Sequence, residues 1–296
     1  MTPLSRRTFR VRALAKINLS LRILGTHADG YHELRTTFQS VALHDTLVFT
    51  ATRGPLILTC DDPACPTDEG NLVWRAAERL WRADKRPGRP AGVTVGINKR
   101  IPMQAGLGGG SSDAAAALRG LARLWRTQVG DVALHAVGRG LGADVAYFLE
   151  GGTVLGVGRG EILYPLADRP AVWVVLIRPA FGVSTREAYG WWDAIHPKGL
   201  VSSKPQPSML GGGEIGNDLQ PPVTARHPEV GKIVKRLMTL GAVQSGMSGS
   251  GSAVFGLFPE QSVARAAAAA LSGKGRLVTV TRTVGRHEYR TRTAPQ

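Results

Sequence analysis

The run Lys99-Arg100-Ile101-Pro102-Met103-Gln104-Ala105-Gly106-Leu107-Gly108-Gly109-Gly110-Ser111-Ser112-Asp113 gathers four glycines, two hydroxyls and an acid into fifteen residues. Glycines let a backbone turn its amides inward. Behind them Ala114, Ala117, Leu118, Leu121, Leu124 and Trp125 recur at helical spacing, so a helix is expected directly after Ser112. A helix start contributes unpaired N–H groups and a partial positive charge, and a polyphosphate fits such a bend. No Gly-Lys-Ser/Thr follows, so the run is not a P-loop, and the third glycine of a dinucleotide fingerprint would fall on Ser111. The plainer reading is a flexible Gly/Ser turn.

Other residues could do chemistry beside it. From Val11 to Ile23 every odd position is apolar, a period of two that predicts a long half-buried strand with Lys16, Asn18 and Ser20 on its other face. Asp29-Gly30 reads as a turn and Tyr31-His32 as loop residues behind it. Asp144, in Gly142-Ala143-Asp144-Val145, stands where an acid commonly caps a helix. Gly246-Met247-Ser248-Gly249-Ser250-Gly251-Ser252 lies between two strongly patterned flanks and is expected to join a helix to a strand at Ala253 to Phe258.

Further strands are predicted near Thr46 to Ala51, Val93 to Ile97, Gly152 to Val157 and Ala171 to Ile177. Helices are predicted over Asn71 to Trp81, around Val230 to Leu237, and through Ala266 to Ala270, the last one stopping at Gly273 before a basic strand and tail. A loop rich in Pro, Gly and Ser spans His196 to Pro222. The mixture is α+β, with a boundary near Tyr164 to Pro170 that divides the chain into 1–165 and 166–296.

Two hundred and ninety-six residues, 43% of them hydrophobic, can supply two ordinary cores. Lys and Arg outnumber Asp and Glu 37 to 22, a net charge of +15 that favours an anionic partner. The excess is spread along the chain, which speaks for a basic surface and against a dedicated nucleic-acid arm. Cys60 and Cys65 are too few for a disulfide framework and, with no histidine near, make a poor zinc site. No metal-ligand set is read from the sequence. No apolar run approaches the roughly 18 to 20 residues that span a bilayer. The first residues are Arg-rich, as in a transit peptide, but a strand pattern begins by Phe9 and leaves little room for one. A soluble cytoplasmic chain, monomeric or homodimeric, is expected.

The run from Pro102 to Ser112 resembles the ATP-binding motif of the GHMP kinases, relatives of galactokinase, homoserine kinase, mevalonate kinase and phosphomevalonate kinase. The resemblance implies that this loop wraps the ATP phosphates, that Ser111 or Ser112 reaches Mg²⁺, and that Asn71, Leu72 and Lys99 line the adenine and ribose end. It implies a two-domain fold, an N-terminal ribosomal-protein-like α/β domain and a C-terminal ferredoxin-like α+β domain. Gly142 to Val145 is similar to the family pattern around its catalytic acid, which assigns Asp144 as base with Lys16 beside it. Ala146 stands where proline is usual, a departure that bears on the local turn and not on the acid. Gly246 to Ser252 resembles the third family motif, a loop that closes the site, and Asn217-Asp218 matches a position of structural role.

Ala15-Lys16-Ile17-Asn18-Leu19, read with Gly25 to Leu34, is similar to the branch of this family that phosphorylates a cytidyl diphosphate sugar alcohol at its 2-hydroxyl, in the non-mevalonate route to isoprenoids. That resemblance implies that Tyr31 stacks on cytosine, His32 bonds its edge, and Lys16 and Asn18 face the methylerythritol hydroxyls. Tyr189 is a candidate for the opposite face of the base, or equally a core aromatic. The three motifs occur in family order over most of the chain. Another small-molecule kinase of the family, or a basic nucleic-acid-binding protein, are the alternatives; the signature from Lys16 to Leu34 argues against the first, and intact Lys16, Asp144 and loops against the second.

Overall fold

The computed structural model describes residues 8–196, 216–273 and 275–296. Two sheets divide the strands. The first has the order β3-β4-β2-β1-β8, with β5 on the free half of β2 and β6 on β5. Its members are β1 (Thr8–Thr26), β2 (His32–Pro55), β3 (Ile57–Cys60), β4 (Ala91–Asn98), β5 (Thr153–Gly158), β6 (Ile162–Pro165) and β8 (Gly216–Asn217). The second is antiparallel, in the order β11-β7-β10-β9, from β7 (Trp173–Arg178), β9 (Gln244–Met247), β10 (Val254–Phe258) and β11 (Leu277–Arg282). The chain changes sheets between Pro165 and Trp173, yet β8 returns to pair with β1.

The expected strand from Val11 to Ile23 lies inside β1, but its alternation does not serve one face throughout. Val11 and Ala13 join the core beneath the helices, whereas Ala15 and Ile17 join Val174, Leu176 and Phe255 in a layer between the two sheets. The β1–β2 ladder is irregular at this point, with Leu14 opposite His44 and Lys16 opposite Ser40, so β2 carries two extra residues where the exchange occurs. Lys16 and Asn18 are both buried, at 3% exposure, instead of lying on a solvated face. The strand predicted at Thr46 to Ala51 is only the distal part of β2, whose proximal part holds β5.

Helices α1 (Leu72–Ala83), α2 (Gly109–Trp125), α3 (Asp131–Leu141) and α4 (Ala143–Glu150) supply much of the first core. Helices α5 (Thr185–Ile195), α6 (Gln220–Arg226), α7 (Pro228–Thr239) and α8 (Gln261–Leu271) supply apolar residues to the core of the second sheet. Three local expectations need correction. Helix α2 opens at Gly109, inside the glycine run and not after Ser112, because glycine tolerates a first helical turn when a packed alanine face follows. The loop from Gly246 to Ser252 leaves strand β9 and not a helix. The basic tail folds as α9 (Arg286–Thr293), tied down by buried Tyr289, whose hydroxyl donates to the Phe148 carbonyl. Most of the segment predicted as a loop, 197–215, lies outside the described residues.

No helix among the described residues is long and apolar enough to cross a membrane. Cys60 and Cys65 are free thiols. Burial, reinforced by Cys60, pushes the Cys65 thiol up to about 12, so it stays protonated and unreactive.

Candidate active site

A cleft of about 1100 Å³ opens where β1, the glycine bend, α4 and α5 meet. Pro102 to Ser111 line it. The bend is held against β1 by the Lys16 amide, which donates to the Leu107 carbonyl at 3.1 Å. Gly108 is the N-cap of α2 and makes no side-chain cap, so the first amides of a seventeen-residue helix have no intrahelical partner and are left for an anion. Ser111 faces the cleft with them, whereas the Ser112 hydroxyl is buried and donates to the Leu14 carbonyl at 2.7 Å. Of the two serines, only Ser111 is among the residues that line the cleft.

Lys16 and Asp144 meet beside this bend, Nζ to Oδ2 at 3.5 Å, the lysine buried and the carboxylate about one-third exposed. Asp144 is in the first turn of α4, whose N-cap is Gly142, so the acid is not the helix cap that its position suggested. Lys16 Nζ also donates to Asn18 Oδ1 at 2.6 Å and stands 5.5 Å from the centroid of the Phe38 ring. One ammonium thus sits beside an ionisable acid in a desolvated corner, an arrangement that can receive a proton and stabilise developing negative charge.

The third loop closes the floor. Ser248, fully buried, donates to the Gly106 carbonyl at 2.9 Å and accepts from the Asn18 amide at 3.3 Å. Asn217 holds that loop by donating to the Met247 and Gly249 carbonyls, at 2.8 and 2.7 Å, while Asp218 accepts from Arg22 and from the Ile23 amide, both at 2.8 Å.

At the other end, His32 is gripped by three residues of α5. It stacks on Tyr189 with centroids 4.6 Å apart, meets Trp192 edge-on at 5.5 Å, and bonds Asp193 through Nε2 at 2.7 Å. A carboxylate only accepts, so Nε2 carries the proton and, in the neutral ring, Nδ1 is an acceptor. Burial pushes the Tyr189 phenol well above its ordinary range, so it stays neutral. Tyr31 is 58% exposed, with the Arg159 guanidinium 4.1 Å from its ring centroid.

The nucleotide-end candidates divide. Leu72 and Lys99 line the cleft; Asn71 does not, because its side chain is the N-cap of α1, accepting from Val73 N at 2.9 Å and donating to the Pro66 carbonyl at 2.6 Å. Lys99 is itself committed, donating to Asp45 at 2.5 Å and Asp113 at 2.9 Å. Burial acts to lower the Lys99 pKa, but the two carboxylates outweigh it and hold the ammonium well above the usual lysine range. Burial, then the negative charge of Asp45, pushes Asp113 well above the ordinary carboxylate range. Asp45 also accepts from the Arg100 and Ile101 amides, which ties the entrance of the glycine bend to β2. Asp45, Asp113 and Asp193 carry no individual role in the sequence reading, because each gains its partner only through packing; Ser248 lies in the third motif, but its bond to Gly106 is not legible from it.

Residues 71–152 match the GHMP kinases N terminal domain and residues 208–277 the GHMP kinases C terminal. The 4-diphosphocytidyl-2-C-methyl-D-erythritol kinase of Moorella thermoacetica is 40% identical over 282 residues, covering 92% of this chain and 98% of the relative. That of Pelotomaculum thermopropionicum is 41% identical over 279 residues, covering 92% and 96%. A crystal structure of 4-(cytidine 5'-diphospho)-2C-methyl-D-erythritol kinase superposes with a TM-score of 0.74 at 37% identity, over 93% of this chain and all of that one. Homoserine kinase from Cytophaga hutchinsonii, at 18% identity and a TM-score of 0.66, shares the fold. With two-fifths of its residues shared along nearly the full length of such relatives, the chain belongs to the 4-diphosphocytidyl-2-C-methyl-D-erythritol kinase family of the GHMP kinases.

Proposed function

We propose that this chain transfers the γ-phosphoryl group of ATP to the 2-hydroxyl of 4-diphosphocytidyl-2-C-methyl-D-erythritol, a step of the non-mevalonate route to isoprenoid precursors. The observation that carries the reading is the buried Lys16 paired with Asp144 beside the amide-lined bend, in a cleft that also reaches Tyr31, His32 and Tyr189. The bend from Pro102 to Ser111 holds the ATP phosphates on the open start of α2, with Leu72 and Lys99 toward the base. Asn18 and Lys16 orient the acceptor, Asp144 takes its proton, and Lys16 offsets the charge that then grows. Cytosine fits beside Tyr31 and Tyr189, and an acceptor on His32 complements its 4-amino group. We take the active unit to be a monomer or a homodimer. Charged substrates of this kind suit the cytoplasm. We divide the chain into domains at 165/166, where the strands change sheets, with β8 reaching back.

Ser111 lines the cleft, and its hydroxyl is a hard oxygen donor that suits Mg²⁺ held mainly by nucleotide phosphates and water. Bound there, Mg²⁺ would neutralise phosphate charge.

Incubation with ATP and a panel of acceptors tests the assignment. A new monophosphate ester is expected with the cytidyl diphosphate alcohol; esters of mevalonate or galactose, and none of the cytidyl compound, would reverse it. Within the same assay Asp193→Ala is expected to raise KM for the cytidyl substrate about tenfold, the scale of one charge-assisted hydrogen bond, with KM for ATP unchanged. An unaltered cytidyl KM would remove Asp193 and His32 from base recognition.

A further inference from the structure

We infer that Thr36 is a positioning residue for the transfer, acting through Asn18 on Lys16 by anchoring the amino end of the Asn18 carboxamide so that its carbonyl is held on the ammonium. The inference rests on the reading of Lys16 as the cation beside the reacting hydroxyl. Three side chains, each at most 3% exposed, form a directional chain: Lys16 Nζ donates to Asn18 Oδ1 at 2.6 Å, Asn18 Nδ2 donates to Thr36 Oγ1 at 2.7 Å, and Thr36 Oγ1 donates to the Ser20 carbonyl at 2.7 Å.

Direction is set from the far end. A carbonyl can only accept, so the single Thr36 proton goes to Ser20 and the oxygen is left only its lone pairs for Asn18. Asn18 must then turn its amino group to Thr36 and its carbonyl to Lys16. Without the hydroxyl, the Asn18 amino group has no acceptor and the carboxamide loses its anchor, so it can swing off the position that presents Oδ1 to the ammonium. Lys16 would lose its 2.6 Å partner and drift toward Asp144, its other polar contact, at 3.5 Å. Thr36 is on β2 opposite Leu21 of β1, so the two central strands that carry the chain are rigidly paired.

Thr36→Val keeps the branched shape and removes only the hydroxyl; Thr36→Ser keeps the hydroxyl. Thr36→Val is expected to lower kcat about 10- to 100-fold, the scale on which small displacements of a reacting group are felt, with KM for ATP within about twofold. Thr36→Ser is expected to retain most of the turnover. A purely structural loss would be blind to Asn18, so the decisive comparison adds Thr36→Val to Asn18→Ala. If the hydroxyl works through Asn18, the second substitution costs almost nothing further, both in kcat and in affinity for the cytidyl substrate by calorimetry. Equal costs in both backgrounds, a Thr36→Ser enzyme as slow as Thr36→Val, or a Thr36→Val enzyme at wild-type rate would each overturn the inference. A wild-type chain that phosphorylates no cytidyl substrate would instead overturn the proposed function, which separates the two failures.

Discussion

Asp144→Asn is expected to lower kcat by about 10² to 10⁴-fold while ATP still binds, the range over which a positioned general base contributes. The substitution keeps the volume and the place in the first turn of α4 and removes the group that can take the hydroxyl proton. Lys16 keeps its contact with Asn18 Oδ1 at 2.6 Å, so the ammonium remains held and the glycine bend is not disturbed. Single-turnover phosphorylation measures the loss, and calorimetry with a non-hydrolysable ATP analogue measures binding. Lys16→Met should lose a comparable factor, and the double variant little more than either alone, because the two side chains act as one unit. Turnover of Asp144→Asn within about threefold of wild type would make the acid a structural part of α4, since a base in the transfer contributes at least about 10²-fold.

Gly106→Ala is expected to reduce kcat/KM for ATP by at least about 10²-fold, through the shape of the bend and not through any lost side chain. Gly106 has φ +72°, a region where an added Cβ costs ~1–2 kcal/mol. More decisively, that Cβ would lie 2.0 Å from the Ser248 carbonyl oxygen, so either the bend or the third loop must move. Both loops are bonded there: Ser248 to the Gly106 carbonyl, Ala253 N to the Ala105 carbonyl, and Asn18 N to Ser248. A shift therefore reaches the phosphate amides and the substrate strand together. Gly88→Ala separates strain from collision, because Gly88 has φ +68° but nothing within 4 Å of an added Cβ, and it is exposed. Gly88→Ala should lose only thermal stability. If Gly106→Ala behaves in the same way, the contact between the two loops has no part in nucleotide binding.

Both expectations depend on residues far apart in the chain, and they mark what could be read beforehand. The α+β class, the glycine bend before an alanine-rich helix, and the candidacy of Lys16, Tyr31, His32 and Asp144 were legible, because periodicity, glycine conformation and family motifs are local properties of a sequence. Asn71 shows the limit of such local signals. A motif position fixes where a residue lies, but its side chain was drawn into capping α1, a competition settled by neighbouring backbone groups.

Residue order alone specified most of the elements and the polar groups that chemistry could use. Which of those groups meet was settled by packing. Packing around the irregular β1–β2 ladder at Leu14 and Lys16 encloses two polar side chains, Lys16 and Asn18, expected on the outer face of the strand. The pairing of β1 with β2 brings Thr36 to Asn18, the return of α5 brings Asp193 to His32, and the joining of β9 to β10 brings Ser248 beneath Gly106. Those contacts span 18, 161 and 142 residues. Hydrogen bonds act over about 3 Å, so sequence spacing says nothing of them until packing has closed the intervening chain.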